Sequence, residues 1–169
     1  MLDLADFDNV IVGYRELQKP IRSFSSASQA ILERVSSAVF AEETNLLPLH
    51  LLDLRADGYI SRHVDHIEYS GRYIVGMSLL SESIMTLHRE GVGHEGVWLP
   101  MRLPRRSLYV LCGEARYEWA HALSRESEWE GEQLPAKGRR LALIWRDAPE
   151  AGASASVMTG QRPSRAEGS

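Results

Sequence analysis

Three side chains stand out by type and spacing: His63 and Asp65, separated by one residue, and His121 far downstream. Residues two positions apart on a strand point to the same face. His63 and Asp65 can therefore address one ion, and a histidine from another strand would complete three ligands. Two imidazoles and one carboxylate on one face of an octahedral ion leave three positions open. Non-haem Fe(II) oxygenases use that arrangement to admit a co-substrate and dioxygen. Zinc is a weaker match, because a tetrahedral site would keep only one open position. A His-x-Asp pair alone is also what a solvated strand of alternating polar residues supplies.

A pair of arginines makes the pattern more specific. Arg140 and Arg146 are six apart, so a continuous strand puts both on one face. The stretch between them, Leu141-Ala-Leu-Ile-Trp145, is apolar enough to be core. An inward face carrying two guanidinium groups is costly unless anions meet them. A dicarboxylate answers that need, since each guanidinium can bind a carboxylate in bidentate fashion. The plainer reading leaves one or both arginines in solvent. His66, three residues from His63, falls on the opposite face of a strand; His66, His88 and His94 read as surface or loop residues.

The elements that must position these groups are mostly short strands. From Ser26 the apolar residues Ile31, Leu32, Val35, Ala38, Val39 and Phe40 recur at helical spacing, with Ser25, Ser26 or Ser28 available as caps. One amphipathic helix over 28–42 is predicted, its stripe covering a sheet. After Pro48 strands are predicted at 49–54, 59–69, 73–80, 84–88, 97–99, 107–112, 116–123 and 140–145, with a turn at Asp57-Gly58. Many short strands at even spacing, without helices between them, argue for an all-β sandwich or jelly roll rather than a doubly wound α/β fold. The organisation expected is an N-terminal extension over 1–25, a domain over 26–146, and a disordered tail over 147–169 rich in Ala, Gly and Ser.

Composition bounds the partners. The 169 residues suffice for one domain with a substantial core. No run reaches the roughly 18–20 apolar residues that span a bilayer, and the acidic start Met1-Leu-Asp-Leu-Ala-Asp6 shows no basic targeting leader. The single cysteine, Cys112, excludes an internal disulfide and is expected to be a small core residue of the 107–112 strand. A formal net charge of −4 disfavours a duplex-DNA partner, whose phosphates call for a basic face.

The order His63-x-Asp65, His121, Arg140-x5-Arg146 resembles the AlkB family of Fe(II)/2-oxoglutarate dioxygenases. The segment Ser107-Leu-Tyr-Val-Leu-Cys-Gly-Glu-Ala-Arg116-Tyr-Glu-Trp-Ala-His121 is similar to that family's distal-histidine strand pair. Leu52-Asp-Leu54, Gly58-Tyr-Ile60, His63-Val-Asp65 and Gly76-Met-Ser-Leu-Leu80-Ser81, with the helix over Ala27 to Phe40, resemble its mitochondrial branch. The likeness runs from about Phe7 to Arg146.

The resemblance implies a mainly β fold, a double-stranded β-helix with the metal at one open end and the N-terminal helix packed on the sheet. It places His63, Asp65 and His121 on the iron ligands. It places Arg140 on the distal carboxylate of 2-oxoglutarate, Arg146 near the keto-acid end, and Tyr109 as a hydrogen-bond donor to the co-substrate. Implied with these are Fe(II), 2-oxoglutarate and dioxygen, a mitochondrial matrix location (cytoplasm or nucleus as alternatives), and roles in programmed necrosis and fatty-acid metabolism.

There are departures as well. Nucleic-acid demethylases of the family carry an Asn-x-Tyr pair where this chain has Leu52 and Leu54, and no nucleotide-recognition lid is evident before Pro48. Base flipping needs a pocket that stacks and reads the extruded base. The leading expectation is a dioxygenase acting on a protein side chain, a metabolite or itself. The alternatives are an RNA or DNA demethylase and a non-catalytic 2-oxoglutarate-binding module that engages a protein partner.

Overall fold

The computed structural model describes residues 10–89, 93, 96–123, 128–133 and 138–149. Its strands are β1 (Ile11–Lys19), β2 (Leu49–His63), β3 (Ile74–Leu79), β4 (Ser83–Arg89), β5 (Trp98–Leu103), β6 (Ser107–Leu111), β7 (Trp119–Leu123), β8 (Glu128–Trp129), β9 (Glu132–Gln133) and β10 (Arg140–Arg146). The helices are α1 (Ser26–Val39) and the single turn α2 (Glu114–Tyr117). Strand order in the main sheet is β5-β4-β7-β2-β10-β3-β6, with β1 on β2 and every pairing antiparallel. The sheet curls into the expected jelly roll because β2 serves both halves. Its residues 50–54 pair with β10, and Ile60 and His63 pair with β7 across a bulge.

Alternation along the strands sorts the side chains into two apolar layers. Leu52, Leu54, Ile60, Ile74, Met85, Leu87, Leu103, Leu111, Leu123, Ala142 and Ile144 fill the interior of the roll. On the outer face, Leu49, Val75, Leu143 and Trp145 pack with Leu32, Val35 and Phe40, so α1 covers the sheet as its stripe predicts. Ser25 caps α1, its hydroxyl accepting from the Ser28 amide at 3.4 Å.

Five local expectations need correction. The 1–25 segment contains β1, which pairs with β2 from Ile11 to Lys19; a bulge at Val12–Tyr14 breaks the alternation that would have marked it as a strand. Asp57-Gly58 is no chain-reversing turn but part of an outward bulge within β2. There the backbone of Gly58 lies against the carbonyls of Val12 and Gly13, closer than a Cβ would permit. Residues 116–118 form α2 and its end, so the strand begins at Trp119. Cys112 is exposed, in line with Leu108 and Val110, because α1 covers the sheet's middle and leaves the outer face of edge strand β6 bare. Finally, Asp147, assigned by composition to the tail, is buried, and its carboxylate accepts from the amides of Arg72 at 2.9 Å and Tyr73 at 2.8 Å. The remainder of the expected tail, 150–169, lies outside the described residues, as does His94.

Candidate metal centre

Strand pairing brings the two histidines together. His63 at the end of β2 and His121 on β7 are direct cross-strand partners, with ring centroids 4.3 Å apart. Asp65 arrives differently from the strand geometry expected, because β2 ends at His63 and Asp65 lies in the segment that follows. That segment is held by Arg116 at the base of α2. This side chain is 2% exposed and donates to the carbonyls of Asp65 (2.7 Å), Ser70 (3.2 Å) and Gly71 (3.2 Å) and to the Ser70 hydroxyl (2.9 Å). One ligand atom from each of His63, Asp65 and His121 lies within 4.8 Å of the others.

The electrostatics suit a cation. Burial alone would raise the Asp65 pKa, but the His63 hydrogen bond and the charge of Arg146 outweigh it and hold the carboxyl well below its usual range. Burial, reinforced by neighbouring His63, pushes His121 down to about 4, leaving a neutral imidazole at physiological pH. At His63 burial opposes the charged form, yet the Asp65 carboxylate and the Ser61 carbonyl prevail and its pKa is raised. The His63 Nδ1–H donates to the Ser61 carbonyl at 2.9 Å, which turns Nε2 toward Asp65, 3.7 Å away. Metals bind the deprotonated forms, so Asp65 and His121 are ready donors, while the raised pKa of His63 sets a proton in competition with a metal there.

The remaining predicted residues share the pocket. His63, Asp65, His121, Tyr109, Arg140 and Arg146 line one cavity, whose apolar wall includes Leu52, Ile74, Met85 and Ile144. β10 is continuous from Arg140 to Arg146, so its two arginines face the same way, as their spacing predicts. Arg140 is 1% exposed; its Nε donates to Ser78 Oγ at 3.0 Å, and its buried Nη2 has no partner among the described residues. A buried guanidinium nitrogen left open is costly unless an anion joins it. Tyr109 pairs with Gly76 across β3 and β6, and its ring occupies the space a Cβ at Gly76 would fill. Arg146 Nη2 lies 3.6 Å from Asp65, while Nη1 donates to His50 Nδ1 at 3.0 Å.

Three contributors escaped the sequence reading: Arg116, Ser78 and His50. Nothing local marks them, since each acts on a residue 50 or more positions away. His66 is exposed as expected, beside Tyr69; His88 is half-buried on β4 and bonds to Thr86 at 3.0 Å.

With this geometry in hand, the likeness to known proteins is specific. The mouse (Mus musculus) protein "Alpha-ketoglutarate-dependent dioxygenase alkB homolog 7, mitochondrial" is 42% identical over 146 residues, 85% of this chain and 64% of its own length. The cattle (Bos taurus) protein of the same name is 44% identical over 147 residues, with the same coverage. The chain is AlkB-like over 85% of its length. This AlkB-like chain spans 64% of the length of those two relatives, slightly under two thirds. A prolyl-4-hydroxylase from Pseudomonas putida shares the fold at 15% identity and a TM-score of 0.54, covering 88% of this chain and 78% of its own. No family model matches the chain.

Proposed function

We propose that this AlkB-like chain is an Fe(II)- and 2-oxoglutarate-dependent dioxygenase that oxidises a protein side chain, a metabolite or itself. One observation carries the reading: three metal-type donors within 4.8 Å of one another open onto the cavity that also holds the unpartnered Arg140 nitrogen. His63, Asp65 and His121 would hold the iron. Arg140 Nη2 would take one carboxylate of 2-oxoglutarate, Arg146 would face the keto-acid end, and the Tyr109 hydroxyl would donate to the co-substrate. Iron with 2-oxoglutarate and dioxygen supplies an oxidant for C–H bonds, and decarboxylation of the keto acid leaves succinate. The chain's own part is to bind, to orient and to keep the site dry. Leu52 at 2% exposure, Ile74 at 3% and Met85 at 0% exclude water from the inner wall.

The apolar Leu52 and Leu54 positions favour a substrate other than a nucleobase, because the buried surface there offers no hydrogen bonds with which to read one. The two mammalian relatives are named as mitochondrial, and a mitochondrial matrix location is part of the proposal. Roles in programmed necrosis and fatty-acid metabolism rest on the likeness to that branch alone. Among the described residues no helix is long and apolar enough to cross a membrane.

The test is an anaerobic titration of metal-free protein with Fe(II) and 2-oxoglutarate, following the visible charge-transfer band of the chelated keto acid. The band is expected in wild type and lost in His63→Ala. Its absence from both proteins would overturn the assignment. Loss of a protein partner in a folded His63→Ala variant would likewise count against a purely non-catalytic scaffold.

A further inference from the structure

Arg146 is held in place by a chain of contacts that begins on the N-terminal strand. Glu16 on β1 has its Oε2 3.0 Å from His50 Nε2. His50 Nδ1 lies 3.0 Å from Arg146 Nη1, and Arg146 Nη2 lies 3.6 Å from Asp65. Sheet register makes this possible. His50 on β2 stands opposite Gln18 of β1 and Ile144 of β10, so Glu16 reaches it on the diagonal within one face. The group is well enclosed, with side-chain exposures of 12% for His50 and 20% for Arg146.

The proton positions in this chain follow from chemistry. A guanidinium only donates, so His50 Nδ1 must accept. Nε2 of the neutral ring then carries the hydrogen and donates to the Glu16 carboxylate. A carboxylate on the far nitrogen raises the electron density at the near one, as it does for metal-bound histidines. His50 thus presents Arg146 with a strengthened acceptor in a fixed orientation. One arm of the guanidinium is committed to His50, and the plane of the group is set.

We propose that Glu16 and His50 are positioning residues for Arg146, through a Glu16–His50–Arg146 relay that fixes the guanidinium for the keto-acid end of 2-oxoglutarate. This rests on the co-substrate reading above. It also gives β1 a function: the N-terminal strand completes the co-substrate site instead of merely lengthening the sheet.

The experiment is the same anaerobic charge-transfer titration, which measures 2-oxoglutarate affinity without turnover, on wild type, Glu16→Ala, His50→Asn, His50→Ala and Glu16→Ala/His50→Asn. His50→Ala should weaken 2-oxoglutarate binding roughly tenfold, the scale at which outer partners act on a site, and Glu16→Ala by a smaller factor. In His50→Asn the amide oxygen replaces Nδ1 as acceptor but cannot reach Glu16, so this variant should match Glu16→Ala. Adding Glu16→Ala to His50→Asn should change nothing further. If His50→Ala does not fold, the Glu16→Ala and His50→Asn proteins carry the test. Wild-type affinity in Glu16→Ala and His50→Asn, or additive losses in the double variant, would overturn the relay. Absence of the band from wild type would overturn the underlying co-substrate reading instead.

Discussion

Arg116 Nη1 donates to the backbone carbonyl of Asp65 at 2.7 Å, tying the start of the β7 arm to the segment that carries the acidic donor. Among the described residues the guanidinium has no carboxylate within bonding reach. Its hydrogen bonds go to carbonyls and one hydroxyl, and burial lowers its pKa, partly offset by the Asp65 charge. Five donors in a planar fork can hold several carbonyls at once, which a lysine cannot. His121 sits five residues further along, so one side chain couples two of the three proposed ligands.

For that reason Arg116→Lys is expected to keep the charge and lose the geometry. We expect metal affinity to fall by about tenfold or more and stability by about 2–4 kcal/mol, because buried carbonyls lose their donors. Mn(II) titration alongside denaturant unfolding checks both, and a variant with wild-type metal affinity would remove Arg116 from the positioning role.

Arg140→Ala should weaken 2-oxoglutarate binding by about 2–5 kcal/mol, the scale for losing one partner of a desolvated charge pair. Ser78→Ala removes only the Nε contact and should cost less. Calorimetric titration of both variants decides the matter; equal losses would mean that Ser78, not the open Nη2, dominates.

Gly76→Ala places a methyl group where the Tyr109 ring lies. The ring must move, at a cost of roughly 1–3 kcal/mol in stability, and co-substrate affinity should fall with it. Tyr109→Phe keeps the ring and removes only the hydroxyl, so it should lose affinity with little change in unfolding midpoint. A Gly76→Ala protein with unaltered stability and binding would show that Tyr109 adapts freely.

The metal-free protein should lose stability as pH falls from about 6.5 to about 4. Across that window the unfolded chain protonates His121 while the folded chain does not, since burial and His63 hold the folded value near 4. The contribution is present above the unfolded value and vanishes as pH drops through the folded one, with an upper bound of roughly 3 kcal/mol. His50, whose pKa is lowered by burial and by Arg146, acts in the same direction. His63, whose pKa is raised, acts in a different window: its contribution is full below the unfolded value and fades as pH rises through the folded one, so it leaves the acid slope to His121 and His50. Urea midpoints measured against pH should therefore be flatter in His121→Gln, and an unchanged slope would dismiss His121 as the source.

Asp147→Ala should destabilise the fold by about 1–3 kcal/mol, because two partly buried amide donors lose their acceptor. Urea unfolding of Asp147→Ala beside wild type checks this, and an unchanged midpoint would show that the Asp147 anchor is dispensable.

The order of chemical groups was legible in the amino-acid sequence alone. The His63-x-Asp65 pair, the distant His121 and the six-residue spacing of Arg140 and Arg146 are properties of residue type and strand period, and so is the stripe that seats α1 on the outer layer. Tertiary structure decided how those groups are held. Asp65 lies beyond the end of β2 and depends on Arg116, a partner 51 residues away. Arg146 takes its acceptor from His50, 96 residues earlier, and His50 is tied to Glu16 on a strand whose bulge hid it from pattern reading. Alternation says which face a side chain takes. Strand order and register say what it meets there, and both arise from long-range pairing that no local period encodes.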